Sequence, residues 1–121
     1  MAFVLKKSST YEWPVVLRLP IDGGRYEKQT FDARFNRLAQ TRINEIQDLF
    51  RAKQRGDDGI ELTDQSVADE VLAGWSNVQD EDGEDVPFTA ASKAELLNIP
   101  AVASAIVVAY FESVTGNKAK N

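Results

Sequence analysis

The chain has 121 residues, 43% hydrophobic and 27% charged, which suits one globular domain able to bury roughly two thirds of its unfolded surface. It has no cysteine and no histidine, so disulfides, thiol nucleophiles and the common His-based triads and dyads are excluded, and a transition-metal site would need carboxylates alone. The net charge of −5 opposes nucleic acid binding, and no apolar run approaches the roughly 18 residues that a membrane-spanning helix requires.

In chain order, Phe3-Val4-Leu5 reads as a short apolar strand ended by the polar loop Ser8-Ser9-Thr10. Charge follows this apolar run rather than preceding it, the reverse of a secretory signal, so a cytoplasmic location is expected. From Glu12 to Leu19, Trp13, Val15, Leu17 and Leu19 alternate with Pro14, Val16 and Arg18, the period-2 pattern of a half-buried strand. Pro14 lacks an amide donor and suits a strand start or an edge. Pro20-Ile21-Asp22-Gly23-Gly24 is turn chemistry, and Arg25 to Phe35 alternates again, completing an antiparallel hairpin.

Helical spacing follows: Phe35, Leu38, Ala39, Ile43, Ile46, Leu49 and Phe50 recur every three or four residues. Lys53 and Arg55 suit the last turn of this helix, with Gly56 as its stop. Thr63 is an N-cap for a second helix whose apolar stripe runs through Val67, Ala68, Val71, Leu72 and Trp75, weakened at Gly74. Val78 to Phe88 suggests a small acidic hairpin around Asp82-Gly83. Ser92-Lys93-Ala94-Glu95 reads as a capping box opening a third helix. Pro100 suits the first turn of a fourth, which ends at Gly116. Val102, Ala105, Ile106, Ala109 and Tyr110 form a stripe on that last helix, and Val107, Val108 and Phe111 widen it. So broad an apolar surface implies packing on two sides. The expected class is α+β: N-terminal antiparallel strands, about four helices, and an acidic hairpin between the second and third. The domain is expected over 1–116, with a flexible basic tail over 117–121.

No constellation carries chemistry clearly. Asp80, Asp82, Glu84 and Asp85 invite a calcium reading. An EF-hand loop needs glycine at its sixth position and glutamate at its twelfth. Counted from Asp80, Gly83 falls fourth and Ala91 twelfth, so the match fails and a solvated turn explains the acids. Asp57-Asp58 and Asp69-Glu70 are sequence neighbours, which do not face each other on a helix. Lys6, Lys7, Arg18, Arg25 and Lys28, interleaved with Tyr11, Trp13 and Tyr26, have the composition of a single-strand binder, but the alternation places Trp13 on the apolar face. Asp22-Gly23-Gly24 lacks the spacing of a phosphate loop. No catalytic, cofactor or metal residue is assigned. The candidate surface for a partner or a second copy is Trp75, Val107, Val108 and Phe111, with the acidic Asp82 and Asp85.

Several segments, taken in order, carry a resemblance. Gly74-Trp75, Asp80-Glu81-Asp82-Gly83, Val86-Pro87-Phe88-Thr89, Leu96-Leu97 and the helix through Tyr110-Phe111 are similar to tail assembly chaperones of long-tailed bacteriophages. Phe3-Val4-Leu5-Lys6-Lys7, Trp13-Pro14-Val15, Asp22-Gly23-Gly24 and Gln29-Thr30-Phe31 before Phe35 extend the likeness to nearly the whole chain. The resemblance implies a non-enzymatic protein of the infected or lysogenic bacterial cytoplasm, absent from the mature virion. It would coat and solubilise the tape measure protein, help recruit tail tube subunits, and act as an oligomer without cofactor, nucleic acid or membrane. A longer, frameshifted form commonly carries the tube-recruiting extension, and this chain resembles the short form. If Ala119-Lys120-Asn121 is encoded GCA AAA AAC, the gene holds a heptamer favourable to a backward slip of one base. Rival readings are another phage morphogenesis component, such as a tail terminator or minor tail protein, and a small carboxylate-based hydrolase.

Overall fold

The structure is a computed structural model that describes residues 1–5 and 8–116. The expectations for the tail at 117–121, including the slip site, lie outside the described residues. Strands β1 (Thr10–Ile21) and β2 (Arg25–Asn36) form the hairpin. Their register is continuous from Thr10↔Asn36 to Ile21↔Arg25. The turn needs its two glycines, since Gly23 and Gly24 have φ of 85° and 71°. The alternation seen in the sequence becomes two faces. Val15, Leu17, Phe31, Ala33 and Phe35 are buried, while Pro14, Val16, Arg18, Lys28 and Arg34 face outward.

Helices α1 (Gln40–Gln54), α2 (Asp64–Val71), α3 (Ala90–Leu97) and α4 (Val102–Thr115) follow, with strand β3 (Leu72–Ser76) between α2 and α3. The sheet order is β1-β2-β3, all antiparallel, and the class is α+β as expected. Helix α4 lies against β1 and α2. The core forms where the inner sheet face meets Val67, Ala68 and Val71 of α2 and Val102, Ile106, Ala109 and Tyr110 of α4.

Local detail departs from expectation in five places. Phe3-Val4-Leu5 forms no strand, and these side chains are 79%, 58% and 85% exposed. Phe35, Leu38 and Ala39 lie before α1, which opens at Gln40: Phe35 stays in β2, where it pairs with Tyr11 and is fully buried. Trp75 is not helical: α2 stops at Val71 and the chain turns into β3, whose Asp32↔Ser76, Ala33↔Trp75 and Arg34↔Gly74 pairs complete the base of β2. The helical spacing was satisfied locally, but Gly74 weakens a helix while β2 offers unpaired backbone groups. A bulge between Arg34 and Phe35 lets Leu72 rejoin the ladder. The capping box of α3 sits one turn earlier than Ser92-Glu95: Thr89 caps and Ser92 closes the box. Pro100 precedes α4 in a turn closed by Val102 N–H donating to Ile99 O at 3.2 Å. The signals at two helix ends hold. Thr63 caps α2, and Gly116 ends α4 with φ of 75°.

Candidate interaction surface

Helix α4 is the apolar centre of the molecule, and its periodicity decides what remains outside. Val102, Ala103, Ile106, Ala109 and Tyr110 face the sheet and α2. Val107, Phe111 and Val114 stand at i, i+4 and i+7, a single stripe on the neighbouring face. Val107 is 8% exposed, Phe111 is half-buried, and Val114 and Val108 are 38% and 53% exposed. Burial thus fades across the helix and leaves an apolar shoulder.

Beside that shoulder is an open groove of about 360 Å³, lined by Phe50, Lys53 and Gln54 of α1, Asp64 of α2, and Val107 and Phe111. Its floor is apolar and its rim carries one charge of each sign. The Lys53 ammonium already donates to Leu62 O at 2.8 Å, which ties the end of α1 to the loop before α2. Sequence reasoning found Val107 and Phe111 but not Phe50, Lys53, Gln54 or Asp64. Phe50, Lys53 and Gln54 share a face by i, i+3, i+4 spacing. Only the approach of α1 to α4 makes that face a wall.

The wall is held at its other end by ions. Arg42 of α1 donates from Nε and Nη2 to the two carboxylate oxygens of Glu70 at 2.8 and 2.7 Å, and its Nη1 reaches Glu45. The hydrogen bonds to Glu70, then to Glu45, raise the Arg42 guanidinium further above its ordinary value. The bond from Arg42 lowers Glu70 below the usual carboxylate range. Tyr110 pins the start of α1 from below. Its hydroxyl donates to Asn36 O at 2.9 Å and accepts from Leu38 N–H at 3.2 Å. Burial is the main reason that its hydroxyl is pushed above its ordinary value.

The other candidates lie elsewhere. Trp75 is half-buried and engaged within the chain: its Nε1–H donates to Val86 O at 2.8 Å, and its ring meets Phe88 edge-on with centroids 4.8 Å apart. It clasps the acidic loop to the sheet. Asp82 and Asp85 are exposed in that loop, away from the groove lining. The loop is a rudimentary hairpin with one bridge, Gln79↔Asp85. The Asp80 carboxylate accepts from Asp82 N–H at 2.9 Å and Glu84 N–H at 3.0 Å, so it serves the turn itself. Among the described residues no three acidic side chains converge as a metal site, and no single helix is long and apolar enough to cross a membrane.

No curated protein and no solved structure matches the chain. A family model does: that of YdaY prophage proteins matches residues 26–115, from the start of β2 to the end of α4. The match takes in every helix and all the residues that line the groove, and by it the chain belongs to the YdaY prophage protein family.

Proposed function

We propose that this prophage protein is a tail assembly chaperone that binds and solubilises the tape measure protein and helps to recruit tail tube subunits, the latter mainly through a longer frameshifted form. The observation that carries the reading is the apolar shoulder of α4. Val108 is 53% exposed beside Phe111 and Val114 on a helix otherwise committed to the core. A client rich in amphipathic helix presents apolar stripes before the tail tube encloses it, and such stripes are received by apolar surface with a charged surround. Family membership supports the phage setting, and the acidic balance of the chain favours a soluble complex. The protein works by contact, without bond making, in the cytoplasm of the host, and leaves before the virion matures.

Co-expression with the tape measure protein of the same prophage tests this. The expected result is co-purification and a larger soluble fraction of the client, both reduced by Val108→Asp with the circular dichroism spectrum unchanged. A client that neither co-purifies nor gains solubility overturns the proposal.

A further inference from the structure

We infer that α1 is a gate: it lifts from the body as a unit while the sheet, α2 and α4 stay folded, and the Arg42–Glu70 pair is the latch that holds it shut. Helix α1 is 15 residues long but buries only Ile43 and Ile46. Helix α4, with 14 residues, commits Val102, Ala103, Ile106, Val107, Ala109 and Tyr110 to the interior. Nor does α1 approach any strand or helix as closely as α4 approaches β1 and α2. Few buried apolar side chains and sparse neighbours mark the segments that open at a lower free energy than global unfolding.

Most polar bonds of α1 are internal and travel with it. Gln40 donates to Asn44 at 2.9 Å, Arg51 to Asp48 at 3.0 Å, and Arg42 reaches Glu45, all three or four positions apart on the helix. Among the described residues, the side-chain bonds that leave α1 run from Lys53 to Leu62 O and from Arg42 to Glu70. The first is exposed, and water can replace the carbonyl. The second is bidentate and, among the described residues, is the charged pair that spans α1 and α2. The joint lies at the start of the helix. Tyr110 hydroxyl binds Asn36 O and Leu38 N–H, which fastens the chain as far as Leu38. Ala39, the N-cap, adds no side-chain bond to stiffen the step into Gln40. At the other end, residues 53–59 are exposed and supply slack. The far end of α1, with Phe50, Lys53 and Gln54, therefore travels furthest, and it is one wall of the groove. Opening uncovers Ile43, Ile46 and Phe50 together with Val107 and Phe111, so the latch sets how much apolar surface the chain exposes. The inference concerns this chain alone and does not depend on the identity of the client.

Amide hydrogen exchange followed by mass spectrometry tests this on the unsubstituted protein. A helix of this length is marginal once it leaves the body, so its amides exchange each time the gate opens. Residues 44–54 are expected to exchange as one group, at least about tenfold faster than the amides of α4. Glu70→Gln weakens the latch and should speed exchange in α1 by about two- to fivefold, with α4 unchanged. The chain has no native cysteine, which permits a second reading by thiol labelling. Ile46 and Val71 are 1% and 0% exposed, on α1 and α2 respectively. A thiol reagent should modify Ile46→Cys at least about tenfold faster than Val71→Cys, since the first needs only the gate to open and the second needs the body to unfold. Amides of α1 protected as strongly as those of α4 overturn the inference. So does a Glu70→Gln variant that speeds exchange equally in every element, and so do equal labelling rates at the two cysteines.

Discussion

Ala101 holds the left-handed conformation, with φ of 75° and ψ of −10°, at the position where a type II turn ordinarily places glycine. The preceding Pro100 has the fixed φ that such a turn wants, and the turn delivers Val102 into the core, where it is 1% exposed. A β-carbon in this conformation costs about 1 kcal/mol. Ala101→Gly should therefore stabilise the protein by about that amount, seen as a higher urea midpoint with an unchanged slope. Tyr110 is the opposite case, a residue whose polar atom is indispensable. Its ring is 1% exposed and packs edge-on against Phe35 at 5.1 Å, while its hydroxyl serves both Asn36 O and Leu38 N–H. Tyr110→Phe keeps the packing and leaves those two backbone groups without that partner. A loss of about 1–3 kcal/mol in urea denaturation is expected.

At the scale of elements, α1 is the piece whose position decides whether a groove exists. Ile43 and Ile46 seat it against the body, Tyr110 holds its entry, and the Arg42–Glu70 pair joins it to α2. Glu70 titrates lower in the folded chain than in the unfolded one. Its contribution is then fully present above the unfolded carboxylate value, near pH 4, and is lost as pH falls through the lower folded value. Both side chains are about one third exposed, so solvent screening keeps the contribution at or below about 1 kcal/mol. Compared with Glu70→Gln, the unsubstituted protein should be more stable by a constant margin above about pH 5. That margin should close on acidification, as read from urea midpoints across pH.

Over the whole molecule, burial along α4 separates structural from presenting residues. Val107 is 8% exposed and belongs to the core, whereas Phe111 is half-buried at the groove. A carboxylate at Val107 would be almost wholly taken out of water at the foot of the groove, which costs about 3 kcal/mol. Val107→Asp should unfold or nearly unfold the chain. Phe111→Asp can turn its charge to the open side and should keep the fold. Circular dichroism with sedimentation distinguishes the two, and unfolding of both variants would return Phe111 to the core.

Much of this architecture was legible in the order of residues, because the signals are local. Alternation from Glu12 to Phe35 with two glycines between defines a hairpin whatever the rest of the chain does, and the spacing of Ile43, Ile46 and Phe50 defines a helix face. Thr63 and Gly116 mark helix ends through their own hydrogen bonds and dihedrals. The outcome at Leu72–Ser76 was not local. The helical pattern there was genuine, and it lost to backbone groups of β2 that lie some forty residues earlier in the chain. The groove was hidden for the same reason. Phe50, Asp64 and Phe111 acquire a common surface only when α1, α2 and α4 meet. An amino-acid sequence by itself states which residues are apolar and with what period; which of them remain uncovered is a property of the packed solid, since exposure is set by what arrives from elsewhere.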